Sequence, residues 1–549
     1  MERIAATAAA SFIAFHVLRS VYRRLNGYGI SDIPGPPSPS FIYGNLLQIF
    51  QEQAGTFDFK WQEQFGGVFR IRGPFGDDRL MVSDPKTLHY MFHTSGYDII
   101  KQPERKELSR LLTGKGLIWA EGDVHRRQRK VMNPAFGPAE ARAFFPIFLE
   151  HANQVGLVAK WQDIMSESPE RISVFNIPNW LGRATMDAIG AAAFSYKFGM
   201  LTDGGNELAQ AYNNILQETH GRASSGRILF QNASHLIPLR VIEWITDHGR
   251  AKPIARAREV TAMANRVAED LLSLKSEALL QGKKGKDIMS LVVQANLSED
   301  EKSRIDTDEM YSQLRTVMLA GYETTSNSLS WTLYELAKRP DIQNQLRAEI
   351  VQTQARVRAR GDELMSLSDF DNMPLTTAVI KESLRMHPVA HQMYRQTSKD
   401  DVFPLSKPII SKSGKVLHEV FVPKGTRLVA AVAAYNRSKE VWGVDASEFR
   451  PERWLQSVDG GRAQGAASVG TYGNLMTFGG GVRACIGWRF AVAEMQAFAV
   501  ELLRNFEFSL TEESRHIRRD VALVMIPTVE GQVGKGMQLP LRVSLAPEE

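Results

Sequence analysis

Residues 478–487 read Phe478-Gly479-Gly480-Gly481-Val482-Arg483-Ala484-Cys485-Ile486-Gly487, and Cys485 is the only cysteine in the 549-residue chain. The surrounding glycines allow the backbone to turn tightly and to approach a flat partner closely. A helical pattern begins directly after the motif, and a helix N-terminus favours a thiolate. One interpretation of a lone cysteine is a small buried apolar residue. The alternative is a thiolate at one axial position of a metal that a macrocycle already holds, as in cysteine-ligated haem.

The same stretch matches the signature Phe-x-x-Gly-x-Arg-x-Cys-x-Gly, so the chain resembles the cytochrome P-450 family. Three further motifs follow in this family's order: Ala320–Thr325 inside a long helical pattern, Glu382–Arg385, and Phe449–Trp454. The resemblance extends over essentially the whole chain and indicates a microsomal, eukaryotic, fungal type. It implies a mainly α fold with a minor β portion, a large helical domain plus small sheets, behind an N-terminal membrane anchor.

The resemblance also implies roles for individual residues. Cys485 is expected to be the axial ligand of the iron in haem b. Thr324 and Glu323 are expected to be the catalytic residues, because an acid beside a hydroxyl can relay protons into a largely dry pocket. The other expected haem-binding residues are His125, Arg129, Ala320, Gly321, Arg395, Phe478, Arg483 and Gly487. His125 departs from the pattern, since the family usually has tryptophan at this position.

Each motif also has a purely structural interpretation. Small residues within a helix serve close packing, and a mid-helix threonine usually bonds back to a carbonyl. Glu382 and Arg385 are three residues apart, which by itself indicates a surface ion pair. Together with Arg453, however, they resemble an inner ion network that the family uses to hold the cysteine-bearing loop. His125 taken alone is an ordinary half-exposed histidine.

Composition excludes several classes of protein. The 66 Lys and Arg residues against 61 Asp and Glu residues leave a net charge of only +5, and no basic patch has interleaved aromatic residues, so nucleic acid is not an expected partner. One cysteine excludes an internal disulfide, a multi-cysteine zinc site and an iron–sulfur cluster from this chain alone. The expected compartment is therefore reducing.

The N-terminal segment predicts attachment to a membrane. Residues Ile4–Leu18 are almost continuously apolar, and Arg19, Arg23 and Arg24 follow. This segment has three possible interpretations: a signal peptide, an interfacial helix and a short membrane anchor. The positive charge after the apolar run favours an anchor with the rest of the chain in the cytosol. We therefore expect an anchor over residues 1–26, a proline-rich hinge over 27–49 and the catalytic domain over 50–549, at the endoplasmic reticulum membrane.

Periodicity predicts a body dominated by helices, with short scattered strands and a loop over Ser457–Gly473. The predicted helices are Arg256–Leu280, Asp308–Lys338, Ile342–Ala359, Leu375–Met386 and Trp488–Leu503, and the predicted strands are Gly67–Ile71, Arg79–Val82 and Arg427–Ala431.

The resemblance implies monooxygenation of a lipophilic small molecule with electrons from a separate NADPH–cytochrome P-450 reductase, and cytochrome b5 as an optional second donor. A basic face with Arg126, Arg127, Lys130 and Arg489 is the expected docking surface for an acidic flavoprotein. A haem-thiolate isomerase and a membrane-bound haem carrier are the rival interpretations, and the intact Glu323–Thr324 pair disfavours both.

Substrate contacts are expected in three regions, near Tyr97–Ile118, Leu208–Arg250 and Val389–Tyr394. The second region is apolar around Leu229–Leu239, which suits a lipophilic compound that arrives from the membrane, although a packed helix pair has the same composition. A terpenoid or another specialised metabolite is the first expectation, and fatty-acid or xenobiotic hydroxylation is the second.

Overall fold

Helices form most of the protein, as predicted. The computed structural model describes residues 30–547 apart from 154–155, 203, 218–222, 284, 301–302 and 456–467. Over these residues the α-helices are α1 (Leu46–Gln51), α2 (Thr56–Phe65), α3 (Pro85–His89), α4 (Pro103–Thr113), α5 (Gly122–Met132), α6 (Pro138–Ala152), α7 (Leu157–Ser166), α8 (Ile177–Ile189), α9 (Glu207–Gln217), α10 (Ser225–Ala233), α11 (Leu239–His248), α12 (Lys252–Leu280), α13 (Ile288–Ser298), α14 (Thr307–Gly321), α15 (Glu323–Ala337), α16 (Pro340–Ala359), α17 (Leu367–Asp371), α18 (Pro374–Met386), α19 (Val432–Asn436), α20 (Lys439–Trp442) and α21 (Trp488–Asn505).

The β portion consists of small sheets. The strands are β1 (Val68–Arg72), β2 (Asp78–Val82), β3 (Ile99–Ile100), β4 (Ile172–Asn176), β5 (Met393–Thr397), β6 (Asp401–Ile410), β7 (Val416–Val422), β8 (Arg427–Ala430), β9 (Phe506–Leu510), β10 (Ile517–Val521), β11 (Met525–Val529) and β12 (Pro540–Leu545). The largest sheet has the order β1-β2-β8-β5-β3, and in it only β2 and β8 run parallel. The other sheets have the orders β4-β12-β9, β6-β7 and β10-β11.

Helix α21, which begins three residues after Cys485, lies in the middle of the core. All of its residues from Val492 to Leu503 are buried, as expected for a helix surrounded by other elements. It packs against α6, where the rings of Phe148 and Phe490 meet edge-on at 4.6 Å, and against α15, α16 and α18. The cysteine motif is therefore attached to a helix that the core holds on every side.

The predicted helices and strands are confirmed to within a few residues, with one difference. The pattern over Asp308–Lys338 is not one helix, because it is interrupted at Tyr322 between α14 and α15. The hydroxyls of Thr324 and Thr325 donate to the carbonyls of Ala320 and Gly321 at 2.8 and 3.3 Å, and such bonds compete with the backbone ladder. The carbonyl of Tyr322 accepts from the backbone N–H of Ser326 at 3.0 Å and also from the hydroxyl of Thr185 on α8 at 3.1 Å, which ties the break to α8.

The proline-rich segment packs onto the large sheet over its described part. Ile30 and Ile33 are buried in the core, and the carbonyl of Pro34 accepts a hydrogen bond from the backbone N–H of Arg70 at 2.8 Å. A Cβ at Gly35 would lie 1.8 Å from the carbonyl oxygen of Arg70, so this close approach requires glycine. The predicted anchor over residues 1–26 lies outside the described residues, and the domain boundary at residue 50 stays a prediction. Within the described part of the chain, no helix is long and apolar enough to cross a membrane.

Candidate active site

A short, tightly turned loop carries Cys485. The backbone N–H of Cys485 donates to the carbonyl of Phe478 at 2.8 Å, which closes the loop on itself. Gly479 and Gly481 have φ values of 68° and 61°, in the left-handed region that favours glycine. A Cβ at Gly481 would lie 1.8 Å from the carbonyl oxygen of Phe92. These two glycines are therefore required by the turn and by its contact with the neighbouring segment.

The thiol of Cys485 is accessible although the protein surrounds it. The residue is exposed, whereas burial raises the pKa of its thiol, and these two properties coincide for a sulfur that faces a space inside the protein. The backbone N–H of Gly487 donates to the sulfur and the guanidinium of Arg129 lies nearby, and both lower the pKa of the thiol against the effect of burial. Arg129 is itself held by a hydrogen bond of 2.7 Å from its Nη1 to the carbonyl of Ala484.

A fully buried ion network supports this loop from behind. Arg385 donates from Nε and Nη2 to the two carboxylate oxygens of Glu382 at 2.9 and 2.8 Å, and neither side chain is exposed to solvent (0% for both). Arg453 approaches Glu382 at 3.4 Å, and the indole N–H of Trp454 donates to it at 2.9 Å. Since all the partners of Glu382 converge in one place, the motif is the inner network that the resemblance implied and not a surface pair.

The network reaches the cysteine loop through Asn436. Arg385 donates from Nη1 to the carbonyl of Asn436 at 2.8 Å. The side chain of Asn436 then accepts from the backbone N–H of Met476 at 3.0 Å and donates to the hydroxyl of Thr477 at 2.9 Å. Met476 and Thr477 directly precede Phe478, whose carbonyl holds the backbone of Cys485. A continuous chain of hydrogen bonds therefore connects the buried ion network to the backbone of Cys485.

One face of α14 and α15 is accessible around the junction of the two helices, where most of the neighbouring residues are buried. Ala320 is exposed and Gly321 and Thr324 are partly exposed, while their neighbours Leu319 and Glu323 are buried. Ala320 and Thr324 are one turn apart, so they lie on the same helix face. Small side chains on this face leave room for a flat partner.

The two expected catalytic residues have different surroundings. Thr324 lies on the accessible face, where its hydroxyl donates to the carbonyl of Ala320 and keeps its lone pairs available as acceptors. Glu323 is buried at the helix break, so a proton relay between the two side chains stays a prediction. Gly321 also has a packing role, because a Cβ there would lie 2.8 Å from the side chain of Ile189 on α8.

A cluster of positive charge lies beside the cysteine loop. Burial, together with the charges of Arg483, Lys101 and Arg129, lowers the pKa of His125 to about 3, so this histidine is neutral. Its Nδ1 is 3.0 Å from the hydroxyl of Tyr97. Burial also lowers the pKa of Lys101 to about 7, with the charges of Arg483 and Arg395 acting in the same direction. Burial and then Arg483 lower the pKa of Arg395 to about 10.

These residues fit a cysteine-ligated haem. Lys101, Arg395 and Arg483 share the carboxylate of Glu121, which pairs with Arg483 and lies 4.0 Å from Lys101, so positive charge exceeds negative charge. The Nη1 of Arg483 is buried without a hydrogen-bond partner. Two propionate groups would compensate the excess charge and satisfy that nitrogen. The sulfur of Cys485 would supply the axial ligand, and the small residues of α14 would lie against the ring.

Most of these residues were identified from the sequence, but Tyr97 and Lys101 were not. The guanidinium groups of Arg126 and Arg483 both lie over the ring of Tyr97, at 4.2 and 5.0 Å from its centroid. Lys101 donates from Nζ to the carbonyl of Ala120 at 2.7 Å, and this bond holds the amine 4.0 Å from the carboxylate of Glu121. Both belong to a segment with no motif of its own, and only the pairing of β3 with β5 brings it beside Arg395.

The class of protein that this fold and site define is a haem-thiolate oxidoreductase. Comparison of the sequence with known proteins gives the same class. The family model for cytochrome P-450 matches residues 34–534. Cytochrome P-450 monooxygenase 205 of Postia placenta is 35% identical over 533 residues, which cover 94% of this chain and 92% of that protein. Cytochrome P-450 monooxygenase claQ of Ampulloclitocybe clavipes is 30% identical over 517 residues, covering 93% of this chain and 92% of that protein.

The chain therefore belongs to the cytochrome P-450 family of monooxygenases, which are oxidoreductases with haem b on a cysteine ligand. The relatives come from fungi, which confirms the predicted fungal type.

Proposed function

We propose that the protein is a membrane-attached monooxygenase of the endoplasmic reticulum that hydroxylates a lipophilic terpenoid or another specialised metabolite. The observation that carries the monooxygenase assignment is an accessible Cys485, together with a partly exposed Thr324 on α15, which packs against α21, the helix that follows the cysteine. When bound, cysteine-ligated haem activates dioxygen, so that one oxygen atom enters the substrate and the other leaves as water.

The residues of the chain perform three tasks in this reaction. The Glu382 network and the Gly487 N–H keep the sulfur in position and favour its thiolate form. Thr324 and Glu323 deliver the two protons of the reaction to the accessible face of α14 and α15. The two electrons come from a separate protein. The apolar residues around α10 and α11 hold the substrate and exclude water.

Exposed apolar side chains support attachment to a membrane beyond the N-terminal segment. Phe230 on α10 and Trp244 on α11 are 49% and 61% exposed, and Phe41, within the predicted hinge, is 56% exposed. Phe41 packs edge-on against Phe75 at 6.2 Å, and the turn with Phe75 contacts α10. Phe41 and the turn with Phe75 therefore lie beside α10 at the N-terminal end of the body, and exposed apolar residues there suit contact with lipid. The position at the endoplasmic reticulum, with the body in the cytosol, rests on the charges after Leu18.

An external NADPH–cytochrome P-450 reductase is the proposed electron donor, with cytochrome b5 as an optional second one. Three of the four basic residues expected at its docking surface are already paired within the chain: Arg127 with Glu309 at 2.7 Å, Lys130 with Glu299 at 2.5 Å, and Arg126 with Asp123. Arg489 stacks on Trp488 at 4.2 Å. Arg489 is therefore our first candidate for contact with an acidic flavoprotein.

Reconstitution in lipid vesicles tests this function. We expect NADPH consumption and hydroxylated product only when a fungal reductase is present, with one atom of ¹⁸O₂ in the product. Product formed from an oxidised substrate without reductase would identify the rival isomerase. Removal of residues 1–26 is expected to release much of the protein from microsomes with its haem content unchanged, and secretion with a cleaved N-terminus would contradict the anchor.

A further inference from the structure

A second group of buried and partly buried polar side chains, most of them charged, lies where α4, α10 and the large sheet meet. We name it the Arg105 cluster, and it consists of Arg79, Arg105, Arg427, Asp77, Glu104 and Asn232. It joins the three regions expected to contact substrate, because Arg105 on α4 donates to the side chain of Asn232 on α10 and lies over the ring of Tyr394 on β5. No motif indicated this arrangement.

Two of the three arginines are well satisfied. Arg79 donates from Nε to Asp77 at 2.9 Å and from Nη1 and Nη2 to the side-chain and backbone oxygens of Asn232 at 2.8 and 2.9 Å. Arg427 donates to Glu104 at 2.7 Å, and both of these side chains are 5% exposed. The two carboxylates of the cluster are therefore engaged by Arg79 and Arg427.

Arg105 has no such partner. It shares the Asn232 oxygen with Arg79 at 3.1 Å, and its guanidinium stacks 3.8 Å from the centroid of Tyr394. Its Nε is buried without a hydrogen-bond partner, and it forms no ion pair with any described residue. Burial lowers the pKa of Arg105, the charge of Arg427 acts in the same direction, and the charge of Glu104, which is paired with Arg427, opposes them only in part. Three guanidinium groups against two carboxylates leave one positive charge uncompensated, since burial lowers the pKa of nearby His235 to about 4 and keeps it neutral.

We propose that Arg105 binds the carboxylate of an otherwise lipophilic substrate, an inference that rests on the proposed monooxygenase function. A planar guanidinium stacked on an aromatic ring presents its free N–H groups in the geometry that a carboxylate accepts. One carboxylate neutralises the one excess charge of the cluster, whereas a dianionic phosphate would leave a negative charge.

The anchor is separate from the cations beside the haem. Tyr394 and Arg395 are consecutive in β5, so their side chains point to opposite faces of the sheet. Arg395 faces the positive cluster near Cys485, and Arg105 lies on the side of Tyr394. The carboxylate of a substrate held at Arg105 therefore lies on the face of the sheet opposite to Arg395 and the haem cations, and we expect oxidation at a carbon remote from the carboxylate.

Calorimetric titration of the haem-loaded protein tests this proposal without catalysis. The probes are dodecanoic acid and abietic acid at pH 7.5, each compared with its methyl ester. We expect each acid to bind at least ten times more tightly than its ester. Arg105→Gln should weaken binding of the acids about 10- to 100-fold and leave the esters unchanged, because a hydrogen bond to a charged group is lost. Arg105→Lys should recover part of the affinity.

Lys106→Gln is the matched control, because it removes the same charge from the next position of α4, where the amine lies over Trp119 at 4.3 Å. The Lys106→Gln variant should bind the acids and the esters with the same affinities as the wild type. Equal affinity for acids and esters in the wild type, equal loss of both in Arg105→Gln, or no binding of any acid would overturn the proposal. None of these three results affects the proposed function if the protein hydroxylates another compound in a reductase-dependent reaction. Conversely, if the acids bind at Arg105 but no reductase-dependent hydroxylation is found, the result contradicts the proposed function and not the binding site.

Discussion

The Glu382 network and the Arg105 cluster are both built from buried arginines and acceptors, but only the first is complete. In the Glu382 network, Arg385 uses Nε, Nη1 and Nη2 in hydrogen bonds, and the carboxylate is bound by two arginines and an indole. In the Arg105 cluster, one guanidinium lacks a carboxylate and keeps a buried nitrogen without a partner. Complete networks fix a structure, whereas a deficit of negative charge marks a place where a ligand can supply it.

The largest effect is expected from Cys485→Ser, which removes the group that the complete network positions. The hydroxyl of serine is a much weaker ligand than a thiolate, so thiolate ligation and monooxygenase activity should be lost. The reduced, carbon-monoxide-bound wild type should show the red-shifted Soret band of a haem thiolate, and the variant should not. A wild-type spectrum of the histidine-ligated type would refute the assignment of the ligand.

Glu382→Gln tests whether the network is required for folding. The change leaves Arg385 buried without its counter-charge, while Arg453 keeps Asp445 at 3.1 Å, and breaking such a buried pair typically costs about 3–5 kcal/mol. We expect a large loss of soluble haem-loaded protein and a lower urea midpoint, measured by circular dichroism. Glu363→Gln is the control, since Glu363 is exposed and makes no ion pair among the described residues. Equal stability of the two variants would mean that the network is not structural.

Thr324→Ala acts on the opposite side of the site, where contacts are fewer. Loss of the hydroxyl removes general acid–base help that is typically worth about 10²–10⁴-fold, while the ligand loop and the positive cluster are untouched. NADPH consumption should continue, but with more hydrogen peroxide and less hydroxylated product for each NADPH. Thr324→Ser, which keeps the hydroxyl, should restore coupling. An unchanged ratio of product to NADPH in Thr324→Ala would remove the relay role from this residue.

The difference between local patterns and long-range contacts explains which parts of the structure could be predicted from the sequence. The cysteine loop, the Glu382–Arg385 pair and the long helices follow from local patterns, because glycine geometry, helix periodicity and i,i+3 spacing act over short stretches. Tyr97, Lys101 and Arg105 were not singled out, since their roles depend on the pairing of β3 with β5 and on the contact between α4 and α10. The break at Tyr322 was missed because threonine hydroxyls that compete for carbonyls do not alter the apolar periodicity.

The smallest effect on activity is expected from Glu494→Gln, which concerns a buried acid that the site does not use. Glu494 on α21 is fully buried, both of its oxygens lack a hydrogen bond of acceptable geometry, and the hydroxyl of Thr325 lies nearby. Burial raises the pKa of this carboxyl well above its ordinary value, so it stays protonated in the folded state.

The sign of the stability effect follows from this raised pKa. As the pH rises above the ordinary pKa of a glutamate, the unfolded chain releases the proton of Glu494 and the folded chain retains it. The wild type therefore loses stability, by up to about 1.4 kcal/mol per pH unit, until the folded pKa is reached.

Glutamine does not titrate, so Glu494→Gln should match the wild type near pH 4 and exceed its free energy of unfolding increasingly towards pH 8. Urea unfolding across this range measures the difference, with Glu419→Gln on exposed β7 as the control. A difference that does not vary with pH would mean that Glu494 keeps an ordinary pKa in the folded protein, and the core around α21 would then have to supply a partner for its charge.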